Sequence, residues 1–360
     1  MSYSFNLPIN SVSFGQISTA ILRSLFLRKK EVCFFPVKEQ LDFSSQDEDA
    51  DFLKWVGHKV SDFNASHSRK NGCFKIWHLN GGLESLSGNH FLMSFYELDS
   101  PTKEEINIAK NCSKLIFTNK ETQRVFKEAG NVDSYYIPLF FDDKNFFKKE
   151  TPYFDDGRIV FNLTGKFEKR KNHRKIIEAW VKKYGNNKKY SLQCAIYNVF
   201  LSEEQNKALF SQCLNGQRYN NVQFLGFLQK NSQYNDYLNS GNIILGVSGG
   251  EGWGLPEFHS VALGKHSVIL NAHGYKEWAS DLNSSLVNPS EKIDAYDGVF
   301  FKKGEPFNQG RIYDFNEDDF IDACEKAIEK VNKNKINSEG LKLQTQFTCQ
   351  NTVDEILKLF

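Results

Sequence analysis

Two patterns of hydrophobic and polar positions alternate along the whole chain. One is a short apolar run rich in β-branched and aromatic residues, which is typical of a buried strand. The other is a longer segment with apolar residues at every third or fourth position, as on one face of an amphipathic helix. The predicted strands are residues 3–7, 31–37, 74–79, 90–98, 114–119 and 134–137, then 158–163, 190–197, 221–227, 243–247 and 267–271. The predicted helices are residues 17–27, 47–63, 120–130, 173–183, 202–214, 233–239, 256–264 and 318–333, with another beginning at residues 100–104 and a mostly helical segment over residues 337–360.

This alternation predicts an α/β protein with parallel, doubly wound sheets, because parallel strands are joined by crossover helices. The alternation runs twice. Between the two runs, residues 138–157 are polar, aromatic and charged and show no clear period. We therefore predict two Rossmann-like domains, residues 1–150 and residues 151–345, with the boundary near residue 150.

Length and composition fit this organisation and exclude some alternatives. A chain of 360 residues can bury two hydrophobic cores. The net charge of +1 gives no overall field that would attract nucleic acid or an anionic membrane. Seven cysteines, an odd number without a C-x-x-C pair, indicate a reducing compartment and no disulfide framework. We find no signal peptide and no apolar run of about 18 residues, so we expect a cytoplasmic protein without a transmembrane segment.

A glycine-rich segment follows the predicted strand 243–247. Residues 248–256 read SGGEGWGLP, and a helical pattern then continues to Gly264. Proline suits the first turn of a helix, so the segment predicts a strand, a glycine loop and a helix N-terminus. Free N–H groups at such a terminus attract a phosphate. The carboxylate of Glu251 would repel a phosphate, so we expect it to contact hydroxyls attached to that phosphate, as on a sugar.

A second loop of similar design follows the predicted strand 158–163. Residues 164–172 read TGKFEKRKN and precede the helix 173–183. This basic cluster is either a solvated surface or another phosphate site. Its position at a helix start favours the phosphate site.

Together these two segments resemble the signature of retaining GT-B glycosyltransferases of the family 4 type, in a compact, bacteriophage-like variant. The family reads E-G-F-G-L-P-x-x-E-A-x-A-x-G, and Glu251, Gly252, Gly254, Leu255, Pro256, Ala262 and Gly264 match it, with Trp253 in place of Phe. His259 stands where the family has its second Glu, and Glu257 comes two residues early. The family also reads G-R-x-x-x-x-K-[GN], which Gly165, Lys166, Lys171 and Asn172 match with Lys in place of Arg.

The resemblance implies a fold and a function. The fold is GT-B, in which the two domains face a central cleft and a C-terminal helix, here residues 346–360, crosses back to pack on the N-terminal domain. The implied reaction transfers a hexose or pentose from a nucleotide-diphosphate sugar, with a UDP-sugar as the expected donor, no other cofactor and no metal. The implied catalytic residues are Glu251, Lys171 and Lys166. The implied donor-binding residues are Gly165, Lys166, Lys171, Leu228, Glu251, Gly252, Trp253, Gly254, Leu255 and His259.

The predicted acceptor-binding residues lie at strand ends in the first half of the chain. Gly15 follows the first strand, where a tight βα turn explains it equally well. His78, Glu97 and Asp99 follow later strands, and each could bind an acceptor hydroxyl or take its proton. Asp99 could instead cap the next helix. Asp47, Glu48 and Asp49 formally match the D-x-D metal motif, but acidic residues are also favoured at the helix N-terminus predicted there.

The acceptor is left open by the sequence. It is either a saccharide, including a lipid-linked glycan, or hydroxymethylated bases in duplex DNA contacted through local lysine patches such as residues 169–175. A non-catalytic protein that binds a nucleotide sugar is a further hypothesis, and a sugar-nucleotide epimerase would share the sheets but not the signature. The expected protein is a monomer or dimer in the cytoplasm of a bacterial cell or a virus-infected host.

Overall fold

The computed structural model describes residues 3–62, 67–149 and 156–360, and the predicted boundary near residue 150 lies outside them. Within these residues the strands form two six-stranded parallel sheets and one antiparallel pair. Helices connect most successive strands in both sheets. The predicted α/β class with two doubly wound, Rossmann-like sheets is therefore confirmed.

The first sheet has the strand order β2-β1-β3-β4-β5-β6. Its strands are β1 (Tyr3–Ile9), β2 (Val32–Leu41), β3 (Gly72–Ile76), β4 (Asn89–Ser94), β5 (Lys114–Phe117) and β6 (Tyr135–Tyr136). Its helices are α1 (Ser13–Leu27), α2 (Ala50–Ser61), α3 (Lys103–Asn111) and α4 (Lys120–Gly130). Phe5 is in register with Phe34 on one side and Phe74 on the other, and all three are fully buried. This row of rings on adjacent strands forms part of the core.

The second sheet has the order β12-β11-β10-β7-β8-β9. Its strands are β7 (Ile159–Gly165), β8 (Tyr190–Ile196), β9 (Val222–Phe224), β10 (Ile243–Gly246), β11 (His266–Leu270) and β12 (Ser285–Val287). Its helices are α5 (His173–Tyr184), α6 (Glu203–Cys213), α7 (Asn231–Ser240), α8 (Leu255–Ala262) and α9 (Glu317–Lys333). The chain places β8 and β9 on one side of β7 and then β10, β11 and β12 on its other side. The order of strands therefore reverses between β7 and β10, which pair in parallel. Ligands of open α/β sheets bind at such a reversal, beyond the carboxyl ends of the strands.

An antiparallel ribbon joins the two sheets. It consists of β13 (Pro289–Asp294) and β14 (Arg311–Phe315). Asp99, beyond the end of β4, accepts hydrogen bonds from Lys292 Nζ at 3.0 Å and from the N–H of Arg311 at 2.8 Å. On its other side, the N–H of Tyr313 donates to the carbonyl of Gly249 at 2.8 Å. The ribbon therefore touches loops from both sheets.

The C-terminal segment crosses from the second half of the chain to the first sheet, where its last helix packs. It forms three short helices, α10 (Ser338–Leu341), α11 (Leu343–Gln346) and α12 (Cys349–Leu357), where the sequence predicted a mostly helical stretch. α12 packs on α1, and Asp354 forms an ion pair with Arg28. The ring of Phe360 packs edge-on against Tyr3 with centroids 5.2 Å apart.

Most predicted strands and helices are present, with ends that differ by a few residues. The sequence analysis missed β12 and both strands of the ribbon. β12 is only three residues long, and most residues of β13 are polar and partly or fully exposed, so neither produces a recognisable pattern. Among the described residues, no helix combines the length and the apolar character needed to cross a bilayer.

Candidate active site

The two loops that the sequence analysis selected begin side by side in the second sheet. One follows β7 and the other follows β10, and Leu163 of β7 is in register with Leu245 of β10. The N–H of Gly249 donates to the carbonyl of Arg170 at 2.8 Å, which ties the glycine loop to the basic loop. The reversal of the chain between these strands thus brings together residues that are about eighty positions apart in the sequence.

The glycine loop also presses against the first sheet. A Cβ atom on Gly250 would overlap the carbonyl oxygen of Glu97, and one on Gly252 would lie 2.7 Å from Cβ of Phe95. Thr118 Oγ1 and Asn119 Nδ2 donate to the carbonyl of Gly252 at 2.7 and 3.0 Å. Glycines are needed here because the backbones of the two halves approach too closely for side chains.

The basic loop turns sharply after β7. Gly165 has a φ of +116°, a conformation that side chains rarely adopt. Residues Lys169–Lys171 form a single 3-10 turn, and Asn172 follows in the left-handed conformation before α5 begins. A Cβ on Gly165 would lie 3.4 Å from Cε of Lys171, so the lysine side chain passes directly over this glycine.

A chain of ion pairs occupies the point where the loops meet. Lys171 Nζ forms an ion pair with Glu251. Arg170 lies 3.0 Å from the same Glu251 oxygen and 2.5 Å from Glu168, and Lys166 lies 3.0 Å from the other oxygen of Glu168. Lys166 is partly exposed and the other four side chains are buried. The structure therefore brings Lys166, Lys171 and Glu251 together, with Glu168 and Arg170 linking Lys166 to Glu251.

Arg170 extends this cluster to the first half of the chain. Its guanidinium lies 3.2 Å from Glu97, which follows β4. Burial raises the pKa of Glu97 to about 7; Arg170 opposes this shift, while the charges of Glu251 and Glu168 add to it. Burial acts on Glu251 in the same direction, but Lys171 and Arg170 outweigh it and lower the pKa of Glu251 to about 2. The two carboxylates thus differ in protonation at neutral pH: Glu251 is ionised, whereas Glu97 is close to half-protonated.

The helix after the glycine loop has an open N-terminus. Gly254 occupies the N-cap of α8 with a φ of +81°, and no side chain caps the helix there. A Cβ on Gly254 would overlap the ring of Tyr275, so only glycine fits. Leu255 and Pro256 form the first turn. The geometry is the one predicted from the sequence, a helix start with N–H groups that no side chain satisfies.

Three other residues that the resemblance assigned to donor binding lie in packed positions. The ring of Trp253 is buried between Phe258 and Phe347, with centroids 5.5 and 5.2 Å away. His259 is buried with its ring 4.3 Å from that of Phe146. Leu228, after β9, is half-buried and packs against the core. Donor contacts by these side chains stay predictions.

The predicted acceptor residues have diverse surroundings. Gly15 lies in the first turn of α1, where a Cβ would overlap the backbone of Asn10, so tight packing alone explains it. His78 is accessible at the cleft, with its ring 4.6 Å from that of Phe14. Asp99 is fully engaged by the ribbon and does not cap α3, whose N-cap is Thr102.

The Asp47–Asp49 motif proves to be part of a helix start. Asp49 is the N-cap of α2 and accepts a hydrogen bond from the N–H of Phe52 at 3.1 Å. Among the described residues, no group of three or more His, Cys, Asp or Glu side chains is arranged to hold a metal ion.

Three residues of the site were given no role from the sequence. Arg170 and Glu168 occupy variable positions of the family motif, so only their proximity to Lys166 and Lys171 pointed to them. Glu257 is buried beside the cluster, and its Oε2 atom accepts no hydrogen bond. Burial raises the pKa of Glu257 to about 7; Lys171 opposes the shift and Glu251 adds to it. The signal for Glu257 in the sequence was a charged residue within the otherwise mostly apolar helix LPEFHSVA.

Arg170→Ala tests the ion cluster. The substitution leaves Glu97, Glu168 and Glu251 without their shared guanidinium, and we expect the free energy of unfolding to fall by about 3–5 kcal/mol. The measurement is urea unfolding at neutral pH. Arg174→Ala is the matched control, because Arg174 is exposed and its ion pair with Glu178, one helical turn away, is worth at most about 0.5 kcal/mol. Equal effects of the two substitutions would contradict the role of Arg170.

Glu257→Gln tests the free-energy cost of burying an ionised carboxylate. The native pKa of about 7 lies above the unfolded value of about 4.3, so the native state holds the extra proton between these values and stability is lost as pH rises through them. The amide does not titrate. We therefore expect the variant to gain stability relative to the wild type between pH 5 and pH 8, measured by thermal unfolding. Glu291→Gln, at an exposed position, should show no such trend.

Comparison with known proteins agrees with this geometry. Residues 143–299 match the protein-family model described as "Glycosyl transferases group 1". No curated protein sequence matches the chain. The fold is similar to that of HepE (Alr3699) from Anabaena in complex with UDP and glucose, with a TM-score of 0.68, 14% identity and coverage of 99% of both chains.

Two further solved structures share the fold over nearly the whole chain. Sucrose-phosphate synthase from Thermosynechococcus elongatus has a TM-score of 0.68 at 12% identity, covering 100% of this chain and 94% of the other. A glycosyltransferase from Rickettsia africae has a TM-score of 0.67 at 10% identity, covering 99% and 97%. Residues 143–299 thus match the glycosyl transferases group 1 model, and the chain as a whole shares the GT-B fold of these structures.

Proposed function

We propose that this protein is a glycosyltransferase that moves a sugar from a nucleotide-diphosphate sugar to a hydroxyl acceptor. One observation carries the proposal. Lys166, Lys171 and Glu251 come from two loops of the second sheet, yet they lie in one ion-paired cluster at the reversal between β7 and β10. The glycine loop leads from Glu251 into the uncapped N-terminus of α8, and the charge of Glu257, in the first turn of α8, acts on Lys171.

The proposed donor site has the charges that a diphosphate requires. Lys171 and Lys166 supply ammonium groups, and the N–H groups of Gly254 and Leu255 supply the positive end of a helix dipole. Negative charge grows on the diphosphate as it leaves the sugar, and fixed positive groups stabilise that charge. We infer that lysine, arginine and backbone N–H groups perform this task and that the reaction needs no metal. The complexes of the Anabaena protein with UDP and with UDP-glucose support a UDP-sugar as the donor.

Glu251 is proposed to hold the hydroxyls of the donor sugar. In the structure its carboxylate is paired with Lys171 and Arg170. Phosphate oxygens would compete for these two cations when the donor binds. The carboxylate, which stays ionised because its pKa is lowered to about 2, would then accept hydrogen bonds from the sugar. Retention of the anomeric configuration rests on the resemblance of the signature alone.

Glu97 is proposed to meet the acceptor on the opposite wall of the cleft. It is partly accessible, follows β4 of the first sheet and forms an ion pair with Arg170 of the cluster. Its pKa of about 7 suits a group that accepts a proton from a hydroxyl near neutral pH. Asp99 is a weaker candidate, because Lys292 and Arg311 would have to release it.

The double substitution Lys166→Ala with Lys171→Ala tests the donor site. We expect the rate of nucleotide release from UDP-, GDP- and ADP-sugars to fall by about 10²–10³-fold, because the protein loses the positive charges that stabilise the departing diphosphate. The wild type is assayed both with and without excess EDTA. Activity that is lost when EDTA is added would contradict metal independence.

The matched control removes Lys182 and Lys183 instead, two exposed lysines at the far end of α5. Unchanged turnover in the double variant, or equal losses in both, would refute the assignment. A wild-type protein that binds a nucleotide sugar but releases nucleotide from none of them would support the non-catalytic hypothesis instead.

A further inference from the structure

Exposed aromatic side chains border the proposed donor site. Phe200, in the loop after β8, is 68% exposed, and Val199 beside it is 44% exposed. Phe300, in the loop of the ribbon, is half-buried, and its neighbour Val299 is 54% exposed. Large apolar groups that remain in water close together typically mark a binding surface.

Phe200 and Phe300 form a pair beneath one ammonium group. Their ring centroids are 5.5 Å apart with the rings nearly perpendicular. Lys166 Nζ lies 3.7 Å from the centroid of Phe300 and 5.6 Å from that of Phe200. The same nitrogen is 3.0 Å from Glu168, which contacts Arg170. The pair is therefore continuous with the ion cluster, one side chain away from it.

The opposite wall also carries rings. His78 is accessible and Trp77 half-buried, and their ring centroids are 5.7 Å apart. The walls of the cleft partly remove water from the His78 ring although its edge is accessible, and this desolvation, followed by the charge of Lys166, lowers the pKa of His78 to about 4. The charge of Lys166 thus acts on rings of both halves, and neutral His78 can both donate and accept hydrogen bonds.

The charges of this region favour an uncharged ligand over a polyanion. Lys166 is paired with Glu168, and Lys169 Nζ donates to the carbonyls of Asp294 and Tyr296 at 2.7 and 3.1 Å. Binding to DNA requires cations that are available to phosphates. In the proposed complex Lys166 serves the donor diphosphate and Lys169 stays bonded to the ribbon, so neither lysine is left for a polyanionic acceptor. Glu97 adds a carboxylate beside Arg170.

We propose that Phe200 and Phe300, with Lys166 above them, form a subsite for an uncharged saccharide acceptor. This inference rests on the proposed glycosyltransferase function and names its acceptor class. The C–H groups on the face of a sugar ring carry partial positive charge and pack against the negative face of an aromatic ring. Phe200 offers the more accessible ring for this contact, because Lys166 covers one face of Phe300. The hydroxyls around the ring can bond to His78 and Glu97 across the cleft. A chain of several sugars would extend over the rings while its terminal hydroxyl reaches the donor.

The test is affinity electrophoresis of the full chain through gels that contain dextran, soluble starch or hydroxyethyl cellulose, each a neutral glycan. We expect at least one glycan to retard the wild type. Phe200→Ala with Phe300→Ala should weaken that binding about tenfold, equivalent to about 1.4 kcal/mol. Phe147→Ala is the matched control, because Phe147 is also an exposed phenylalanine with a lysine above its ring, Lys149 at 5.4 Å. The control should be retarded like the wild type.

Parallel measurements separate the alternatives. Retardation by none of the glycans, or equal retardation of the double variant and the wild type, would overturn the proposal. Salt-sensitive binding to duplex DNA that contains 5-hydroxymethylcytosine, without glycan binding, would also overturn it in favour of a DNA acceptor.

The affinity for UDP is measured in the same variants by calorimetry. A loss of UDP affinity in the double variant would assign the rings to the donor base instead. Failure of nucleotide release in the lysine experiment would refute the proposed function itself, so the two failures are distinguishable.

Discussion

The buried guanidinium of Arg170 is the interaction on which the arrangement of the cleft depends. It contacts Glu168 and Glu251 of its own half and Glu97 of the other. Carboxylates that are removed from water are costly unless they are paired, so one cation satisfies three acidic groups and also joins the two sheets. This charge balance is met at the place where the backbones of the glycine loop and of residues 95–97 approach closely.

The same balance explains how a site for an anion can be stable without its ligand. Lys171 would be a buried, unpaired charge if Glu251 did not contact it. We propose that a diphosphate replaces the carboxylate at the cations and that the carboxylate turns to the sugar. The protein then keeps the number of satisfied charges nearly constant, and donor binding exposes the group that recognises the sugar. Because Arg170 also contacts Glu97, donor binding would change the environment of the proposed acceptor wall.

The sequence predicted the parts of this structure that depend on local patterns. The rhythm of strands and helices was sufficient for both parallel sheets, and the glycine loop and basic loop were correctly placed after β10 and β7. Their meeting followed from the resemblance, and the structure supplies its physical reason in the pairing of β7 with β10. Three-residue and exposed strands, such as β12 and β13, have no pattern strong enough to be recognised.

Other features depend on contacts between distant parts of the chain. Asp99 pairs with Lys292 and Arg311, which lie about two hundred residues away and in a ribbon that was not predicted. Arg170 looked like one of several basic residues in a loop, and only the fold shows three carboxylates around it. Trp253 matches the aromatic position of the family signature, yet its ring packs in the core.

A crystal structure of the protein with UDP would test the central claim most directly. The account predicts that the diphosphate lies beyond β7 and β10, with its oxygens within hydrogen-bonding distance of Lys171 Nζ and of the N–H groups that begin α8. It also predicts that Glu251 no longer contacts Lys171. A UDP molecule bound elsewhere, or bound with the Lys171–Glu251 ion pair intact and the diphosphate away from both loops, would contradict it.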